Sequence, residues 1–188
     1  MAPANLASVA YFTVVEDERT GWTGGLLHLG PNGRPVEFQC TLPVRTTRTH
    51  EILYGTTLRQ HLIADIIGPI LVRKARTPVT LLCCDQPEAL GLQSSFDFPV
   101  ALVQEAAEEE EQPIHDESRQ GSATTKLGNT HLRVAIEQLP AAIAACESMQ
   151  DLPDALEPLE RIREAIKEAH SQISRKVRQV ESNESEAA

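Results

Sequence analysis

Hydrophobic positions along this chain change period several times, and each change predicts a different element. "ASVAYFTVV" (7–15) is apolar on both alternating faces, with Val9, Tyr11 and Val15 on one and Ala10, Phe12 and Val14 on the other, which predicts a strand buried on both sides. "GGLLHL" (24–29) predicts a second strand and "GPNG" (30–33) the reversing turn after it. "RPVEFQCTLPV" (34–44) alternates, so Val36, Phe38, Cys40 and Leu42 are expected to face a core while Glu37, Gln39 and Thr41 face water. Pro35 and Pro43 remove backbone donors at its ends, which puts this third strand at a sheet edge.

From residue 45 the period becomes helical: Leu58, Leu62, Ile66, Ile70 and Leu71 follow the capping candidates Thr56 and Thr57, and Gly68-Pro69 should kink or split the helix. "PVTLLCC" (78–84) reads as a second interior strand ending at Asp85, "PEALGL" as a helical turn and "FPVALV" (98–103) as a third buried strand. "HLRVAI" (131–136) alternates again, and Pro140 is placed to open a helix. The clearest helix starts near Asp154, a candidate N-cap, and carries Leu156, Leu159, Ile162, Ile166, Ala169, Ile173, Val177 and Val180 at spacings of three and four. Glu157/Arg161, Glu160/Arg163 and Glu164/Lys167 supply ion pairs on its wet side. The apolar repeat is near 3.5 residues, so this stripe suits either the chain's own sheet or a coiled-coil partner.

Charge divides the chain. Residues 1–103 carry 8 Lys/Arg against 9 Asp/Glu, and 104–188 carry 9 against 18, so nearly all of the net charge of -10 lies in the second half. The expected organisation is an α/β core domain at 1–103, a flexible acidic linker at 104–127, a strand plus helices at 128–180 and a disordered tail at 181–188. An acidic half argues against nucleic acid as a partner, because phosphate contacts need concentrated basic charge. The N-terminus has no basic segment before an apolar run, and no window approaches the ~18 consecutive apolar residues of a spanning helix, so a cytosolic protein with no membrane partner is expected. Cys40, Cys83, Cys84 and Cys146 lack CxxC spacing and sit in apolar runs, which predicts small buried thiols rather than disulfides or zinc ligands.

The order strand-strand-strand-helix-strand-turn-strand (βββαβαβ) resembles the ribonuclease H-like arrangement, an α/β fold with a mixed sheet. Nucleases of that fold place carboxylates on the first strand, the first helix and the end of the fourth strand, where they hold two magnesium ions. The resemblance implies Asp85 at the fourth-strand position and Glu51 or Asp65 on the helix. The first strand departs from it: no carboxylate occurs within 7–15, and Glu16 and Asp17 lie past its end. A second chemical candidate is the basic run "RTTRTH", in which Arg45, Arg48 and His50, followed by Arg59 and His61, are placed to grip an anion beside a helix start. His28 reads as a half-exposed sheet residue, and neither GxxxxGK[ST] nor GxGxxG occurs.

The segments "GGLLHL", "GRPVEFQCTLPV", "EILYGTTL" and "LEPLERIREAIKEAH" are similar to a family of uncharacterised bacterial proteins, a resemblance that implies no activity. With no convergent catalytic group in view, the expected function is a non-catalytic interaction or regulatory module without cofactor, binding a protein partner or a second copy through helix 154–180. The alternative is a magnesium-dependent nuclease of ribonuclease H-like fold, and the missing first-strand ligand argues against it.

Overall fold

The two-sided apolar run becomes β1 (Val9–Asp17), an interior strand of a seven-stranded mixed sheet. A computed structural model describes residues 8–104, 121–149 and 154–186, with side chains through 172. β1 pairs antiparallel with β2 (Gly21–Leu29), which pairs antiparallel with the edge strand β3 (Pro35–Cys40). On its other side β1 runs parallel to β4 (Leu81–Cys84), and β4 runs parallel to β5 (Val100–Gln104). Two further antiparallel strands, β6 (Ser122–Leu127) and β7 (Thr130–Ala135), extend the sheet beyond β5 in the order β3-β2-β1-β4-β5-β7-β6. The first five strands have the ribonuclease H-like order, and the fold class is that expected.

Alternation along the strands sorts side chains into two cores. Val9, Tyr11, Leu27, Leu81 and Cys83 face one side, covered by α4 (Leu139–Glu147) and α5 (Glu157–Glu186), whose Leu159, Ile162 and Ile166 are fully buried there. Ala10, Phe12, Leu26, Leu82 and Cys84 face the other, covered by the connection from β3 to β4 and the turn at Pro87–Ser94. Gly24 and Gly25 let both layers approach: a Cβ would lie 2.1 Å from Ile67 Cγ2 at the first and 2.3 Å from Ile162 Cγ2 at the second.

That connection contains α1 (Arg48–Tyr54), a 3-10 turn (Gly55–Thr57), α2 (Leu58–Gln60), a π-helical stretch (His61–Ile67) and α3 (Gly68–Lys74). The Gly68-Pro69 break expected from the sequence appears as the π stretch: the Gly68 N–H bonds to Ile63 O, five residues back, ahead of a proline that has no N–H to give. Thr57 stands at the N-cap position of α2 without a side-chain cap bond, and the capping box is made by Thr47 at α1: its side chain accepts from His50 N while His50 Nδ1 faces the Thr47 N–H.

Four further expectations are corrected. In β3 the register is inverted, since Val36, Phe38 and Leu42 are exposed and Glu37 and Gln39 are half-buried. The reason is electrostatic: the Glu37 carboxylate accepts N–H bonds from Arg76 and Thr77 and fastens the α3–β4 connection to the edge strand. The linker stops short of 127, because Ser122–Leu127 is hydrogen-bonded to β7; the acidic run itself lies outside the described residues. Cys83 and Cys84 are buried free thiols as expected, but Cys40 is exposed and Cys146 half-buried, also free. The helix stripe from Leu159 to Ile166 is buried on its own sheet, so a coiled-coil seam is not available there; Ile173, Val177 and Val180 fall where side chains are not described.

Candidate functional site

Parallel strand β4 ends at Cys84 against the middle of β1, which runs on to Asp17 beside β2, and the sheet passes from antiparallel to parallel pairing across β1. In open α/β sheets, ligands gather beyond the carboxyl ends of strands at such points. The last registered pair is Phe12 with Cys84. Beyond it, the Gln86 side chain continues the ladder, accepting from Val14 N at 2.9 Å and donating to Val14 O at 2.9 Å. Thr13 and Asp85 therefore sit side by side, on the face that α5 covers.

Both carry an unused oxygen. Thr13 Oγ1 and Asp85 Oδ1 are buried with no hydrogen-bond partner, while Asp85 Oδ2 accepts from Arg163 of α5. Buried polar atoms are nearly always satisfied, and although Tyr11 Oη and the His28 nitrogens are also unpartnered, the Asp85 orphan is the one beside a cavity and leaves room for a further group. A cavity of about 360 Å³ opens beside Asp85, lined also by Pro87, Leu102, Val103, Leu156, Glu160 and Arg163. Opposite Val15 of β1 on the neighbouring strand β2, Thr23 Oγ1 meets His170 Nε2 at 3.0 Å.

The other acids expected from the sequence do not join this centre. Glu16 pairs with Arg59 at 3.4 Å, and Arg59 also holds Glu88 at 2.6 Å and lies over the Trp22 ring at 5.4 Å. The Asp17 carboxyl is held below its usual range because it accepts the N–H groups of Thr20 and Arg19, which makes it a turn-capping group. Glu51 pairs with Arg48 at 2.9 Å and Asp65 with His61 at 2.9 Å, each on its own helical segment. Among the described residues, no group of three or more His, Cys, Asp or Glu is placed to hold a metal.

The basic run is likewise occupied. Arg45 donates to Arg19 O at 3.3 Å, Arg48 is tied to Glu51, His50 to the Thr47 cap and Arg59 to two glutamates. Arg45 does line a second cavity of about 420 Å³, but Glu16, Asp17, Glu18 and Glu51 line it too, and that balance does not favour an anion. His28 is fully buried rather than half-exposed, with both ring nitrogens unpartnered, and burial pushes its pKa below the ordinary value.

Sequence reasoning found Asp85 and missed Thr13, Glu160 and Arg163. Thr13 is visible in the 7–15 run as one of three hydroxyl-bearing residues, with Ser8 and Tyr11. Arg163 had been assigned to Glu160 on the wet side of its helix, and its partner 78 residues away could not be read from helical spacing.

No family model matches the chain, and no curated protein does. Among solved structures it is similar to Endonuclease V of Ciona intestinalis in complex with a 23mer DNA containing an inosine, at 11% identity and a TM-score of 0.48 over 87% of each chain. It is also similar to human Endonuclease V, at 16% identity and a TM-score of 0.44 over 89% of this chain and 87% of the other. These neighbours are nucleases, one of them seated on DNA, and the expectations of a non-catalytic interaction module, of assembly through helix 154–180 and of nucleic acid as an improbable partner are withdrawn on that finding. At such identities and scores no residue role is carried over, and the fold rests on the strand order itself.

Proposed function

We propose that this chain is a nuclease of ribonuclease H-like fold, acting on nucleic-acid phosphodiesters with Asp85 as its catalytic carboxylate. One observation carries the reading: the buried orphan oxygens of Thr13 and Asp85, where the middle of β1 passes the carboxyl end of β4. Magnesium is the cofactor this chemistry implies. A single ion suits the donor set, since magnesium accepts one or two carboxylates and takes its other ligands from water and substrate phosphate. A two-ion cluster does not fit, because Thr13 stands where a first-strand carboxylate would be needed and, among the described residues, no third acid approaches. When bound, the ion would neutralise charge developing on the phosphate. Asp85 would hold it through Oδ1, and the Thr13 hydroxyl would complete the protein's side of the shell. Glu160, lining the same cavity, is the carboxylate available to orient an attacking water.

No described helix is long and apolar enough to cross a membrane. The four free thiols, two of them wholly buried, support a reducing cytosolic compartment for this activity.

The test is cleavage of end-labelled single- and double-stranded DNA and RNA with magnesium or manganese. Cleavage should require the metal, and Asp85→Asn should lower it on the order of 100-fold or more, while Thr13→Ala, which removes a neutral ligand, should cost about tenfold. Cleavage that survives Asp85→Asn unchanged, or its absence on all four substrates, would overturn the reading.

A further inference from the structure

Asp85 is engaged on one side only. Its Oδ2 is paired with the Arg163 guanidinium of α5, and its Oδ1 is buried without a partner. A guanidinium is a permanent cation whose planar donors match a carboxylate, so here it already supplies, from Oδ2, the positive charge that a metal at Oδ1 would bring. Arg163 and a divalent ion cannot share this carboxylate at contact distance without like-charge repulsion across a partly buried site.

Exposure separates the two partners. The Arg163 side chain is 42% exposed and that of Asp85 11%. Ile162 and Ile166, which flank Arg163 on the helix, are fully buried and fix α5 to the sheet. The guanidinium can therefore swing outward while the helix stays seated. Glu160, one turn earlier and lining the same cavity, offers it a second carboxylate at i,i-3 spacing.

We propose that Arg163 is an internal counter-ion of the Asp85 site: in the resting protein it neutralises the carboxylate from Oδ2, and a divalent ion binds tightly at Oδ1 only when the guanidinium swings away. This rests on the nuclease reading of Asp85 and adds its regulation. Metal affinity is then set by Arg163, a residue that need not be a metal ligand, and anything that draws the guanidinium away, a substrate phosphate above all, admits the ion.

The experiment is titration of the full chain with Mn2+, followed by loss of the free-ion electron paramagnetic resonance signal. Arg163→Met should bind Mn2+ at least about tenfold more tightly than the unsubstituted chain, because the competing cation is gone. Arg163→Lys, which keeps the charge, should stay near the unsubstituted affinity, and Arg163→Met combined with Asp85→Asn should lose the gain. Removing the guanidinium leaves a buried carboxylate unpaired, so Arg163→Gln, which keeps a donor, is titrated alongside, with circular dichroism to verify folding. In both uncharged variants Mn2+ should raise the unfolding midpoint more than it does in the unsubstituted chain. Equal affinity and equal midpoint shifts in folded variants would overturn the counter-ion role, as would a gain that persists without Asp85. Cleavage assays on the same set keep the two readings apart. Tighter Mn2+ at Asp85 with no cleavage removes the nuclease and leaves the counter-ion, whereas cleavage lost in Asp85→Asn with no Mn2+ gain in Arg163→Met does the reverse.

Discussion

Two carboxylates, Glu37 on the edge strand and Asp85 at the end of a central one, are held in opposite ways. Glu37 is saturated: it accepts from Arg76 N, Thr77 N and Gln39 Nε2. Burial alone would raise its carboxyl, but those backbone N–H bonds, with the Thr77 and Gln39 side chains, outweigh it and bring the pKa down to about 2. Asp85 has one oxygen on Arg163 and one on nothing. The difference teaches what to look for in a site. A carboxylate whose lone pairs are all spent is a fastening, and one with a buried lone pair to spare has room for a further group.

The contrast depends on α5 being seated over the Asp85 end, and the largest effect expected comes from unseating it. Ile166→Glu would place a charge at a fully buried position against β2 and should cost about 4 kcal/mol or more, read as the unfolding midpoint in denaturant. Light scattering should show no accompanying change of oligomeric state. A dissociation without loss of stability would mean that the stripe is covered by a second chain, and Asp85 would then lose its place beneath the chain's own helix.

A smaller effect separates the two faces of β3. Glu37→Ala removes three charge-assisted hydrogen bonds, but the freed N–H groups of Arg76 and Thr77 lie near water, so the expected cost is about 2 kcal/mol. Phe38 is 40% exposed, and Phe38→Ala should cost only about 1 kcal/mol. Alternation along the strand alone predicts the opposite ranking. Should Phe38 prove the costlier of the two, the saturated-carboxylate account of Glu37 fails with it.

Where apolar surface decided the structure, the sequence was legible. β1 and β4 read as interior strands because both their faces are buried, and the α5 stripe was recognisable from Leu159, Ile162 and Ile166 alone. Where polar satisfaction decided it, the pattern misled. β3 turned over because Glu37 answers to the amides of Arg76 and Thr77, a long-range demand that period-two alternation does not encode. β6, with the polar run Ser122–Leu127, was hidden in the acidic segment because its edge position requires only backbone pairing to β7. The site shows the same division: Asp85 stands out at a strand end, whereas Thr13 and Arg163 gain meaning only from a register and a helix docking that join residues far apart in the chain.

The smallest effect expected is the acid dependence of stability, and it tests whether His28 and Glu37, cross-strand partners in the β2–β3 register, act as separate fastenings. Burial lowers the His28 pKa, and Glu37 opposes that only in part, so the folded protein holds the ring neutral. A group whose folded pKa is depressed binds more protons when unfolded. Its contribution is complete above the unfolded histidine value of about 6.5 and is lost as pH falls below it. Glu37 is also depressed but titrates lower: its contribution is complete above the ordinary carboxylate value of 4.5 and is lost as pH falls toward about 2. Urea unfolding across this range should therefore show two successive losses of stability with acid. His28→Met should flatten the upper one and leave the lower, and Glu37→Gln should flatten the lower and leave the upper. If His28→Met leaves the upper slope unchanged, the imidazole binds protons alike in the folded and the unfolded chain, so something in the fold offsets its burial in full. The imidazole would then have to be paired with Glu37, and Glu37 would no longer be the purely structural half of the comparison with Asp85.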